Sequence, residues 1–379
     1  MIMAQRYLSK DRYIMCMLVH ALGDTIGFKN GDWEFNNGKG AIYVTMAHEL
    51  VDEFISLGGV NRIDISKWII SDDTVFHLMT AKTFVDSDAE AELDIHMNNM
   101  VKHLCYAVDK MDIDKRIPGE TTMKGIKRFH DHKKKWTEVP YDIKYGGAGG
   151  SMRTPCLGLI FPGEKYRDDL IKYSIESCRL THNSAIGYLG GITSALFTAF
   201  ALEGIDIRQW GFKLMELLES DRIDKYMKST RGFEEYDRDK HIFIARWKQY
   251  LDDKFILEGD GLYKMKDPIM NVAQRSRYYY INFRETTLSD FVGSGGDDSV
   301  IIAYDCLLDA GDIWEKLIIY AMLHIGDTDT TGCIAGAWYG ALYGKGDIPR
   351  HMFENIEYKD LLEEYGNKLY SQFSIRLSP

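Results

Sequence analysis

From Asn183 to Leu202 the chain runs for twenty residues without a charged side chain. As a helix this stretch is about 30 Å long, the thickness of the hydrocarbon core of a bilayer. Its composition argues for burial in protein instead. Gly187, Gly190 and Gly191 are mixed with Ser184, Thr193 and Ser194, and no basic residue flanks its far end. Small residues let neighbouring helices approach closely, so the segment reads as a helix enclosed on all sides. Such a helix needs amphipathic partners to cover it.

Those partners are visible as apolar stripes with helical spacing. Ile14, Met17, Leu18, Ala21 and Leu22 share one face, and Val75, Leu78, Met79 and Ala81 another. Leu170, Ile171, Ile175 and Cys178 repeat the pattern, as do Leu361, Leu362, Tyr365 and Leu369 near the C-terminus. Strand-like alternation is scarce and no repeat of domain-building length is visible. The spacing predicts an all-α fold. With only 7 prolines and no Ser/Pro-rich linker, we expect one domain over residues 1–379, with the more polar 204–290 as a peripheral insert.

Charge and cysteine usage narrow the function classes. The net charge of -11, from 57 acidic and 46 basic residues, lacks the positive field that nonspecific nucleic-acid binding needs. The short cluster Lys133-Lys134-Lys135, with Arg128 nearby, reads as a solvated loop. The six cysteines show no C-x-x-C spacing and sit in apolar stretches. Buried, reduced thiols and an N-terminus without secretory features predict a cytoplasmic protein. Neither nucleic acid nor membrane is an expected partner, and a monomer is the expected state.

Two acidic loops each run into an apolar helix. One is Ser71-Asp72-Asp73-Thr74; the other is Gly326-Asp327-Thr328-Asp329-Thr330-Thr331. Crowded carboxylates repel and call for a cation, and hard divalent ions such as Mg²⁺ take carboxylate, hydroxyl and water oxygens. No His or Cys adjoins the Asp pairs, which disfavours zinc. The same residue types also cap helices, with Asp73 or Thr74 as the candidate cap in the first loop. The loop Gly146-Gly147-Ala148-Gly149-Gly150 reads either as a flexible turn or as a cradle of backbone N–H groups for an anion. Glu34, between Trp33 and Phe35, could serve in proton transfer, although a glutamate beside aromatics ordinarily projects into solvent.

Taken in order, these segments resemble the ADP-ribosylglycohydrolase superfamily, most closely its ADP-ribosylarginine hydrolases. The resemblance covers nearly the whole chain. It is carried by Gly23-Asp24-Thr25-Ile26-Gly27, Trp33-Glu34-Phe35, the Ser-Asp-Asp-Thr core of 68–74 and Arg116-Ile117-Pro118-Gly119. It continues through the glycine loop with Met152-Arg153, Cys156-Leu157-Gly158-Leu159, 174–181 with His182, and 187–200. Ile302-Ala303-Tyr304-Asp305 and 324–331 complete it. Trp33-Glu34-Phe35 and the insert with Arg246 and Trp247 favour the arginine-type branch.

The resemblance implies an orthogonal helical domain whose central cleft holds two Mg²⁺ ions. Ligands would come from Ser71, Asp72 and Asp73 on one side and from Asp327, Asp329 and Thr330 on the other. Diphosphate contacts fall on Gly147 and Gly149, and further substrate contacts on Gly119, Glu120, Thr121, Ser294, Gly295 and Gly296. The implied activity is hydrolysis of the bond between ribose C1″ and an arginine guanidino nitrogen of a modified protein, with ADP-ribose as product. Asp72 or Asp73, and Glu34 after them, would take the proton of the attacking water. A serine-linked or broader ADP-ribose hydrolase would use the same metals. A catalytically silent ADP-ribose-binding or structural relative would tend to lose the carboxylates, and all four aspartates are present here. The chain departs from the family pattern at Asn183-Ser184-Ala185-Ile186, at Asp297 and at Ile325, the last two expected beside the cleft.

Overall fold

The computed structural model describes residues 9–36, 46–88, 91–257, 263–266, 269–283 and 291–377. Its longer helices are, in chain order, α1 (Lys10–Phe28), α2 (Met46–Ser56), α3 (Asp72–Val85), α4 (Leu93–Lys110) and α5 (Glu120–His130). Then come α6 (Arg167–Arg179), α7 (Ala185–Glu203), α8 (Trp210–Glu219) and α9 (Phe233–Lys254). The last are α10 (Val272–Phe283), α11 (Asp298–Ala310), α12 (Thr328–Tyr343) and α13 (Lys359–Phe373). Among the described residues the one sheet is a hairpin of β1 (Phe255–Leu257) and β2 (Tyr263–Met265), with Phe255 opposite Met265. The fold is all-α, as the periodicity requires.

The uncharged segment forms α7, and every residue from Ala185 to Leu202 is buried by the rest of the chain. Phe197 on α7 meets the rings of Trp210, Trp247, Tyr304 and Trp338 at centroid distances of 5.1–5.7 Å. Two of these tryptophans belong to the polar stretch 204–290, which therefore enters the core as well as covering it. Its charges are also partly internal. Lys254 and Arg275 pair with buried Asp305 and Asp309, and Tyr279 donates to Asp305 at 2.6 Å. Paired charges can be buried where single ones cannot, so polarity alone overstated how peripheral the stretch is.

The closest helix seam sets up the site. On α1 and α12, glycines face backbone. A methyl group on Gly23 would lie 2.1 Å from the Gly332 carbonyl oxygen, and one on Gly27 would lie 2.1 Å from that of Thr328. Gly336 and Gly340 meet the Val19 and Met15 carbonyls in the same way, at 2.3 Å. The Thr328 hydroxyl donates to the Gly27 carbonyl at 2.7 Å. With no side chains between them, the two backbones touch, and Asp24 is carried up to the acidic start of α12.

Candidate active site

Each acidic loop caps its own helix, and the two meet across the molecule. Ser71, rather than Asp73 or Thr74, caps α3 by accepting the Asp73 N–H at 3.1 Å. That leaves the carboxylates at 72 and 73 free of capping. Asp327 caps α12 through the Thr330 N–H at 3.3 Å. The Thr330 hydroxyl donates to Asp73 Oδ2 at 2.7 Å, joining residues 257 positions apart, and the Cys333 thiol approaches the same oxygen at 3.4 Å. Carboxylate oxygens of Glu34, Asp327 and Asp329 lie within 4.8 Å of one another. Glu34 is thus half-buried among other carboxylates instead of projecting into solvent. The Phe35 N–H bonds to the Gly326 carbonyl at 2.9 Å, which ties the Glu34 segment to the second loop.

These groups border one cleft of about 560 Å³. Asp72, Asp73, Asp327, Asp329 and Thr330 line it together with Glu34. Gly119, Glu120, Thr121, Gly147, Gly149, Ser294 and Gly295 form the remaining walls that the motifs pointed to. Ser71 and Gly296 do not border it. Gly296 instead packs on α7, where a methyl group on it would lie 2.5 Å from the Ile186 carbonyl oxygen and one on Gly190 would lie 2.1 Å from the Gly296 carbonyl oxygen. Its N–H bonds to the Gly146 carbonyl, and the Ala148 N–H to the Ser294 carbonyl, both at 2.8 Å. The two glycine segments are therefore one unit, and Asp298 fixes its far side by accepting from Gly293 and Gly295.

Two residues that the sequence left without a role complete the geometry. Asp24, fully buried on α1, accepts the Ser71 N–H at 2.9 Å and the Thr74 N–H at 3.0 Å, holding the first loop's backbone. His182 borders the cleft beside the glycine loop. Arg153 donates to the Thr181 hydroxyl oxygen at 2.8 Å, and that hydroxyl lies within hydrogen-bond reach of His182 Nδ1 at 2.9 Å. Burial keeps the imidazole neutral, pushing its pKa down to about 3. The only sequence signals were the motif positions of Asp24 and of Thr181-His182.

The carboxylates are poorly compensated. Burial first, and the neighbouring Asp329 charge second, hold Asp72, Asp73 and Asp327 well above the ordinary carboxylate range. The same two causes raise Glu34 and push Asp24 up to about 7. Among the described residues, no lysine or arginine forms an ion pair with any of them. An all-oxygen donor set with excess negative charge fits a hard divalent cation.

The sign of the pH dependence follows. Each group titrates higher in the folded protein than in the unfolded chain. Its contribution to stability is present below about pH 4 and is lost as pH rises through the folded value, about 7 for Asp24. With a chelator present, the melting temperature is expected to fall from about pH 7 to about pH 8.5. That window lies above the range, near about 6.5, where histidines of the unfolded chain take up protons. The gain in melting temperature on adding Mg²⁺ should grow over the same window, because cation binding needs ionised carboxylates. A gain independent of pH would contradict this account.

Comparison with known proteins places the chain. A family model described as ADP-ribosylglycohydrolase matches residues 5–377. The chain belongs to the ADP-ribosylglycohydrolase family. It is 38% identical over 351 residues to "Putative ADP-ribosyl glycohydrolase L444" of Acanthamoeba polyphaga mimivirus, covering 90% of this chain and 66% of that protein. It is 33% identical over 379 residues to "ADP-ribosylhydrolase ARH1" of Dictyostelium discoideum, covering 94% and 93%. Identity to "ADP-ribosylhydrolase ARH3" of Gallus gallus is 26%, over 61% of this chain and 59% of that one. A solved structure titled "ADP-ribosylglycohydrolase-related protein complex" shares the fold, with a TM-score of 0.57 at 17% identity over 96% of this chain and 98% of that chain.

The departures from the family pattern stay out of the cleft. Asn183 is buried and donates to the Val139 carbonyl at 2.9 Å. Ile325 is buried in the core. Asp297 is buried 3.9 Å from Arg246. Neither Asp297 nor Ile325 borders the cleft, contrary to expectation, because a partner charge and the apolar core draw these side chains away. The expected burial of the cysteines holds for all but the half-buried Cys105.

Proposed function

We propose that this member of the ADP-ribosylglycohydrolase family is a Mg²⁺-dependent hydrolase that releases ADP-ribose from modified arginine side chains of proteins. The contact between Thr330 and Asp73, which brings both acidic loops to one cleft, carries the proposal. The Dictyostelium ARH1 relative, matched over 93% of its length, supports the arginine acceptor. We further propose a single domain over residues 1–379, acting as a cytoplasmic monomer, in keeping with its unpaired thiols.

Asp72, Asp73, Asp327, Asp329 and Thr330, which border the cleft, would hold the two cations, while Ser71 caps α3 and holds their loop. When bound, magnesium offsets the carboxylate charge and makes a nearby water more acidic. Asp72 is the better general base of its pair, because Asp73 Oδ2 is already engaged by Thr330 and Cys333. Glu34, across the cleft, stabilises positive charge developing on the ribose as the C1″–N bond breaks. The N–H groups of Gly147 and Gly149 have no partner within the described chain and suit a diphosphate. The neutral His182 imidazole lies beside them.

Peptides carrying ADP-ribosyl-arginine and ADP-ribosyl-serine decide the acceptor. Release from the arginine peptide only, and only with Mg²⁺, is the expected result. Release from the serine peptide alone would favour the second reading, which the ARH3 likeness motivates. Equal release in chelator would end the metal assignment. Gly149→Ala tests the anion cradle. Its methyl group would lie 2.4 Å from His182 Cε1, so the ring must shift and the loop with it. We expect KM to rise at least about tenfold, some 1.4 kcal/mol, with little change in melting temperature. An unchanged KM would remove the loop from substrate binding.

A further inference from the structure

We propose that Arg116 and Glu357 are a positioning pair that sets the divalent-cation site by clamping Ile70, the residue ahead of the Ser71-Asp72-Asp73 turn. This rests on the cation-binding role proposed above for that turn. Ile70 is fully buried, yet both of its backbone polar groups are served by side chains from remote parts of the sequence. Its N–H donates to Glu357 Oε2 at 3.2 Å, and its carbonyl accepts from Arg116 Nη1 at 2.6 Å. The same guanidinium grips Glu357 in a two-pronged pair, at 2.6 and 3.0 Å.

The placement matters because the start of a helix has no partners of its own for its first N–H groups. The Ile70–Thr74 backbone is held instead by Glu357, Arg116, Asp24 and the Ser71 hydroxyl. Asp24 fixes the turn from the α1 side; the Arg116–Glu357 pair fixes its entry. The pair also anchors a second wall of the cleft. Ile117 follows Arg116 directly, borders the cleft and sits at φ +50°, a conformation that a β-branched residue adopts only when its surroundings impose it.

A stabilising role for the fold as a whole is the weaker account. The Glu357 side chain is 29% exposed, and ion pairs at such positions add little to global stability. Groups that orient metal-binding residues matter more to cation affinity, typically about 10–100-fold. Glu357→Gln keeps the size of the side chain but replaces one acceptor oxygen with a donor. With the remaining oxygen in the place of Oε2, Ile70 N–H and Arg116 Nη1 keep their acceptor, but Arg116 Nη2 then faces an amide donor and the two-pronged grip is lost. Arg116→Lys keeps the charge but loses the fork that spans Ile70 and Glu357.

The test is Mg²⁺ binding by calorimetry on the full chain, beside thermal melting in chelator. Wild type should bind Mg²⁺, and both variants should bind it at least about tenfold more weakly while melting in chelator close to wild type. Wild-type affinity in the variants, whatever their melting temperature, overturns the proposal. If Glu357→Gln melts too low to assay, Glu357→Asp, which withdraws the carboxylate by one methylene, should show the same loss. A wild-type protein that takes up no Mg²⁺ removes the cation site itself, and the clamp falls with it. That failure is distinct from one confined to the variants.

Discussion

Asp329→Asn is expected to lower ADP-ribose release by roughly a thousandfold while making the chelated protein melt higher than wild type. The two effects share one cause. Asp329 is the leading neighbouring charge in raising Asp24, Glu34, Asp72, Asp73 and Asp327. It is the charge around which the others are crowded. Asparagine keeps the shape and one acceptor oxygen but removes the charge, so the repulsion within the cluster is relieved. Near pH 8 in chelator, where that repulsion is greatest, the gain should be roughly 1–2 kcal/mol. A cation, by contrast, needs the full charge, and activity should collapse. Scanning fluorimetry in chelator and turnover in saturating Mg²⁺ measure the two effects separately. A variant that melts lower and turns over normally would show that Asp329 is an ordinary capping residue.

That opposition between stability and chemistry explains what could be read from the sequence. α7 was legible because twenty uncharged residues with interspersed glycines admit few settings. The two acidic loops were legible as a pair, but not as to purpose, because the residues that cap a helix are those that bind hard cations. The structure shows both uses at once: Ser71 and Asp327 cap while Asp72, Asp73 and Asp329 face the cleft. His182 and Asp24 were harder. His182 is held by Thr181, itself gripped by Arg153, and Asp24 takes its role from peptide groups 47 and 50 positions away. Neither relation leaves a local pattern. The burial of Trp210 and Trp247 was hidden for a related reason, since charges that end up paired inside look solvated in a list of residues.

The contact between α1 and α12 is the element on which the site's assembly depends, and Gly27→Ala should break it. The added methyl group would lie 2.1 Å from the Thr328 carbonyl oxygen and 2.8 Å from Asp329 Cα. Both obstacles are backbone, so no side chain can swing aside and the helices must part. Separation would also stretch the hydrogen bond from the Thr328 hydroxyl to the Gly27 carbonyl, 2.7 Å in the native protein. Overpacking against backbone and the loss of that bond together should cost roughly 3–5 kcal/mol, about 4–6 °C in melting temperature for a domain of this size. Gly119→Ala supplies the contrast, because nothing lies within 4 Å of a methyl group there, and it should melt like wild type. Whatever Gly27→Ala protein folds should also bind Mg²⁺ weakly, because the shift displaces Asp329 relative to Asp24 and Asp73. If Gly27→Ala melts and binds as wild type does, the helices do not touch at this point. The carboxylates of the two loops would then have to be gathered by something other than the glycine seam.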